Sequence, residues 1–218
     1  PTPAAEAAAV DLVLVSHLHG DHLHLPSLRS IDPTVPLVVP RGAAALLARL
    51  GPRTVHEVAP GDRLDVAGLA VQVLPAHHDG RRLPGSRHAG PAIGFRVAAG
   101  DRSVWYPGDT GMANHLHDVE PVDLALLPIG GWGPTLGDEH LGPEQAAALA
   151  TKNGSRWALP VHHGTFWPWG LRRIARATHR RRLGGPAGRF AAALDVADTT
   201  ALPAHHGVRL ELVPGGSA

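Results

Sequence analysis

An apolar run that stops abruptly at a cluster of metal-binding side chains constrains this chain most. Leu12-Val13-Leu14-Val15 leads directly into Ser16-His17-Leu18-His19-Gly20-Asp21-His22. The apolar run reads as a buried strand. Side chains alternate along an extended segment, so His17 and His19 point the same way and can reach one metal ion. Gly20 lets the backbone turn, which swings Asp21 and His22 towards a second ion beside the first. Ser16 reads as a cap on that turn. Imidazole and carboxylate together suit zinc, and also manganese or iron. The fold must therefore bury the strand yet leave its exit open, and further ligands must come from other strand ends.

Composition narrows the setting. The chain has 218 residues and no cysteine, so disulfides and thiolate metal sites are excluded and any metal is held by His, Asp and Glu. No apolar run is long enough to cross a bilayer, and the first residues lack the charged-then-apolar pattern of a secretory leader. A cytoplasmic location is the expectation. The formal net charge of +1 argues against nucleic acid as a partner. Arginines cluster at Arg172, Arg173, Arg176 and Arg180-Arg181-Arg182, with a spacing that reads as one solvated helical face.

Along the chain, short apolar strands alternate with helical or turn-rich segments. Strands are expected at 11–15, 36–40, 54–58, 63–66, 69–74, 92–97, 103–106, 124–129, 157–161 and 208–213. Helices are expected at 42–50, at 143–150 with Pro143 in the first turn, near 170–182 and near 187–194. Hairpins mixed with strand–helix units predict one α/β domain over 1–218, with two sheets and helices outside them.

Three further strand exits carry candidate ligands: His77-His78 after Leu74-Pro75-Ala76, Asp109 within Pro107-Gly108-Asp109-Thr110-Gly111, and His162-His163 before Gly164-Thr165. With the first cluster and with His140-Leu141-Gly142-Pro143-Glu144-Gln145-Ala146, this order resembles the metallo-β-lactamase superfamily. Within it, the pattern is most similar to the branch of the L-ascorbate-6-phosphate lactonases and the N-acyl-phosphatidylethanolamine-hydrolysing phospholipases D. The resemblance implies a four-layer αβ/βα sandwich of the α/β (α+β) class. It also implies two divalent transition-metal ions, zinc first. His17, His19 and His78 would hold one ion, Asp21, His22 and His162 the other, and Asp109 both. His206, in a His-Gly pair near the C-terminus, competes with His162. His140 is placed at the pocket rim, and His77 has no assigned role.

The implied activity is a metal-dependent hydrolase in which hydroxide held between the two metals attacks a phosphodiester, lactone or related ester. Asp21 would orient the nucleophile, His163, or His162 if displaced, would donate to the developing charge, and His140 is counted with them as catalytic. Trp132, Trp167 and Trp169 in Gly/Pro-rich loops suggest an apolar wall for a small-molecule or lipid-like substrate. Two other readings stay open: a metal-binding member of the fold without turnover, and a nuclease. Relatives begin with further strands that Pro1–Ala9 do not supply, so the expectation is a sandwich lacking its usual first strands and an exposed sheet edge covered by self-association.

Overall fold

The computed structural model describes residues 9–131, 136–164, 185–195, 198–203, 205 and 208–212. Among these, three strands form a parallel sheet in the order β1 (Val13–Leu14), β2 (Leu37–Pro40), β3 (Val55–Val58). β2 is central and buried along its whole length, which explains why it is apolar without alternation. Between β1 and β2 lies the short helix α1 (Leu25–Arg29), and between β2 and β3 lies α2 (Ala44–Leu47).

The larger sheet has seven strands. In chain order they are β4 (Arg63–Val66), β5 (Leu69–Pro75), β6 (Ile93–Ala99), β7 (Arg102–Tyr106), β8 (Leu124–Pro128), β9 (Trp157–Val161) and β10 (Thr200–Ala201). Their spatial order is β10-β9-β8-β7-β6-β5-β4. β4 to β7 form an antiparallel meander, whereas β7 to β10 pair in parallel. Helix α3 (Pro143–Lys152) crosses from β8 to β9, and α4 (Pro186–Leu194) precedes β10.

Three apolar clusters define the layers. Leu37 and Val39 of β2 pack outward against Leu28, Leu46 and Leu47 of α1 and α2. Val38, one residue out of phase, faces inward with Val58 and meets Val71, Val73, Ile93 and Phe95 of the larger sheet. On that sheet's far side Trp105, Ala125 and Leu127 pack against Ala146, Ala147, Leu149, Phe190 and Leu194 of α3 and α4. The stack is helix, sheet, sheet, helix, as expected.

Two expectations fail at the level of elements. Residues 208–212 take no regular structure, and Val208 and Leu210 are exposed. The edge of β9 is instead taken by β10, where Thr200 donates to Arg156 O at 2.9 Å and Leu202 to Ala158 O at 2.8 Å. Helix α1 is unanticipated, because five residues show less than two turns of periodicity. The Arg-rich segment near 170–182 lies outside the described residues.

Two antiparallel steps return β7 to the direction of β5, and β8 and β9 run parallel to β7. The C-terminal ends of β5, β7, β8 and β9 therefore open on one edge of the sheet. That edge is where open sheets carrying parallel strands place their ligands. The exit of β1 joins it: Val15 donates to Val38 O in the small sheet, and Ser16 O accepts Ile93 N–H of the large one, both at 2.9 Å.

Candidate metal centre

The first cluster sits on a tight turn between the sheets. Leu23 N–H donates to His19 O at 2.8 Å and His22 N–H to the same oxygen at 3.2 Å, which curls Gly20-Asp21-His22 back towards the strand exit. His17 is fully buried, and its Nε2 lies 2.9 Å from His19 Nδ1. His78, at the exit of β5, brings its own Nε2 to 3.2 Å from that same His19 nitrogen. Three imidazole nitrogens thus converge on one point.

A second convergence adjoins the first. Asp109 leaves β7 through Pro107-Gly108, where Gly108 has φ +71° and a Cβ would meet Ile93 O at 2.6 Å and Ser16 Cβ at 2.9 Å. Only glycine fits there. Asp109 Oδ2 lies 3.3 Å from His22 Nε2 and 3.1 Å from His162 Nε2. Asp21 Oδ2 stands 3.8 Å from His22 Nε2 and 3.9 Å from His162 Nε2. His162 adopts φ +55°, a conformation uncommon outside glycine, and its Nδ1 is held 3.0 Å from Gly130 O.

The donor atoms form four overlapping groups, each with its atoms within 4.8 Å of one another: His17/His19/His78, His17/His22/Asp109, Asp21/His22/His162 and Asp109/His140/His162. Every ligand expected from the sequence is in this set except His206, which lies outside the described residues, as do Trp132, Trp167 and Trp169. His77 and His163 join none of the groups. His140 goes deeper than the rim: its ring centroid is 4.9 Å from that of His78, and it stacks on His162 at 6.0 Å.

Supporting contacts emerge that the sequence did not announce. Ser16 does more than cap a turn, because its buried Oγ lies 3.1 Å from His17 Nδ1 and 3.4 Å from His22 Nδ1. Glu139 Oε2 stands 3.4 Å from His78 Nδ1 and accepts Asp79 N–H at 3.3 Å. Such partners fix the tautomer and orientation of a ligating imidazole. Ser16 and Glu139 were readable only as neighbours of motif residues, since their role depends on contacts through space.

The electrostatics suit a cation. Burial, with His22 next, drives His17 down to about 2, and burial likewise lowers His19 and His140, so these imidazoles are neutral donors. Burial pushes the Asp109 carboxyl up, but His22, His162 and His17 together pull it down to about 2. The His162 imidazole, 3.9 Å away, and His22 hold the Asp21 carboxyl well below the usual carboxylate range against its partial burial. His162 itself is raised: burial works against its charge, and Asp21 and Asp109 outweigh burial. Asp109 Oδ1 is buried without a hydrogen-bond donor among the described residues. A buried anionic oxygen lacking a donor among the described residues, where imidazole nitrogens from several segments converge, is what a divalent cation would satisfy. The residues fit a metal.

Comparison with known proteins gives the family. The family model described as "Beta-lactamase superfamily domain" matches residues 1–163. The chain belongs to that superfamily. An uncharacterized protein of Mycobacterium tuberculosis is 33% identical over 186 residues, covering 78% of this chain and 50% of its own length. A UPF0173 metal-dependent hydrolase of Methanopyrus kandleri is also 33% identical, over 72% of this chain and 68% of that protein. An N-acyl-phosphatidylethanolamine-hydrolyzing phospholipase D of Caenorhabditis elegans is 27% identical, over 76% and 52% respectively. The chain spans about half the length of the mycobacterial relative. Among solved structures, the metallo hydrolase Igni18 of Ignicoccus hospitalis superposes with a TM-score of 0.67 at 20% identity, covering 94% of this chain and 81% of that one. The superfamily member described here thus has the metallo-β-lactamase fold. No helix among its described residues is long and apolar enough to cross a membrane.

Proposed function

We propose that this superfamily member is a metal-dependent hydrolase that cleaves a phosphodiester, lactone or related ester. Two divalent transition-metal ions, zinc first, would be held by His17, His19 and His78 on one side and by Asp21, His22 and His162 on the other, with Asp109 between them. One observation carries this reading: donors from four separate stretches of chain converge around a buried carboxylate oxygen that has no donor of its own. Bound there, such ions supply a hydroxide nucleophile near neutral pH and take up charge on the leaving oxygen.

The chain's own residues do the rest. Asp21 is half exposed and ionised, so it can accept a hydrogen bond from the attacking water and orient it while it serves as a ligand. His140 is kept neutral by burial and retains one ring N–H, which donates to the oxygen on which charge develops. His163, next along the chain from His162, is a second candidate for that role. Ser16 and Glu139 hold the ligand rings in place. The phosphodiester and lipid-like substrate classes draw support from the Caenorhabditis elegans relative, whose name states such an activity.

The test is metal analysis of the purified protein joined to a panel of chromogenic phosphodiesters and lactones. The expected result is close to two transition-metal ions per chain and hydrolysis of at least one class, lost with a chelator and restored by zinc. A folded protein that retains no transition metal, or that is loaded and turns over none of the panel, overturns the reading.

A further inference from the structure

Arg82 occupies a place that none of the ligand motifs anticipates. It lies four residues beyond His78, on the loop leading away from the first donor group, and reaches across to the turn that carries His17 to His22. Its Nη1 donates to Leu18 O at 2.8 Å, to Leu23 O at 2.7 Å and to His19 O at 3.3 Å. Leu18 and Leu23 are fully buried, so their carbonyls are remote from water and need a donor. The arginine is anchored at its own backbone, where its N–H donates to His88 O at 2.9 Å. Leu18 N–H donates back to Gly80 O at 3.4 Å, closing the same pair of loops from the other side. Among the described residues no carboxylate pairs with Arg82, and its Nη1 is committed to backbone carbonyls.

We propose that Arg82 is a positioning residue for the metal centre: its guanidinium ties the His17–His22 turn to the His78 segment and so sets the spacing between His19 and His78. This rests on the metal-dependent reading above, but it concerns metal affinity rather than the reaction. Removing the clamp leaves buried carbonyls without a donor and frees two ligand segments to move apart. Loss of a group that orients ligands costs about 10–100-fold in metal affinity. Arg81 is the internal control, because it is exposed and meets only Asp79, at 3.7 Å.

The experiment measures zinc affinity by competition with a chromogenic chelator, and the absorption spectrum of the cobalt-loaded protein, for wild type, Arg81→Ala, Arg82→Ala and Arg82→Lys. Arg82→Ala is expected to bind zinc at least about tenfold more weakly than wild type and to show an altered cobalt spectrum. Arg81→Ala should match wild type. Arg82→Lys, which keeps the charge on a shorter arm, should fall between, and guanidinium ion added to Arg82→Ala should recover part of the loss. Wild-type affinity in Arg82→Ala, or a loss that neither lysine nor guanidinium relieves, overturns the proposal. If Arg82→Ala does not fold, Arg82→Lys decides: a few-fold loss with a shifted cobalt spectrum supports the clamp, and an unchanged affinity and spectrum overturns it. A wild-type chain that takes up no metal overturns the hydrolase reading instead, so the two failures are distinct.

Discussion

At Asp109, two histidine nitrogens far apart in sequence approach the same carboxylate oxygen, while the other oxygen is buried without a donor among the described residues. Asp109→Ala should therefore empty the centre far more than His77→Ala, whose ring joins no donor group, and metal content per chain is the measurement. Asp21→Ala leaves the His17/His19/His78 group whole, so part of the metal should remain while turnover falls by orders of magnitude. Gly131 offers a probe that changes no donor. A Cβ there would meet His140 Cγ at 2.5 Å, so Gly131→Ala should displace that ring and lower turnover with metal content largely kept. Proton linkage acts at the same scale. His17, His19 and His140 have lowered values in the folded chain, whereas in the unfolded chain they take up protons near pH 6.5. Below that pH the unfolded state binds more protons, so the metal-free protein loses stability as pH falls from 6.5, at about 1.4 kcal/mol per pH unit from His17 alone. The raised His162 acts in the opposite sense and in the window above pH 6.5, where the folded chain keeps a proton the unfolded chain has lost; its contribution is complete below 6.5. Thermal melts of chelator-treated protein between pH 7.5 and pH 5 check the sign.

Among the elements, those with a strong period or a firm boundary were legible in sequence. β2 lies between Pro36 and a closing Pro40, β5 and β6 alternate over seven residues, and α3 starts at Pro143 with Gln145 Oε1 accepting Gly142 N–H at 2.9 Å. The candidate metal-binding residues were legible for a related reason: each stretch that carries them follows a strand and contains Gly or Pro. What escaped depends on contacts distant in sequence. The alternation at 208–212 resembles a strand, but the neighbouring edge is already filled by Thr200 and Leu202. Ser16, Glu139 and Arg82 gain their roles only when separate loops meet. Phe190 shows how the outer layer can be separated from the site. It is fully buried on α4, within the cluster that backs β7 and β8. Phe190→Ala should cost about 3–5 kcal/mol in urea unfolding yet leave the metal stoichiometry of the folded protein unchanged, since α4 carries none of the candidate donors.

Across the whole molecule, the candidate donors draw on both sheets: the His17–His22 segment is held between them, through Ser16 to Ile93 and through Val15 to Val38, and the others leave strands of the larger sheet. Metal binding should then stabilise the entire fold, because only the folded chain assembles the donors. Zinc is expected to raise the melting temperature in a concentration-dependent way, and a chelator to reverse it; an unchanged melt in a protein shown to take up zinc would mean that the donors do not bridge the sheets. The spread of those donors along the chain, from His17 to His162, has a further consequence for biosynthesis. A nascent chain has the His17/His19/His78 set available early, but it lacks Asp109 and His162 until β7 and β9 have left the ribosome. On the proposed two-ion reading, complete loading would be confined to chains translated through β9, and a prematurely terminated product would be marked by the metal it fails to keep.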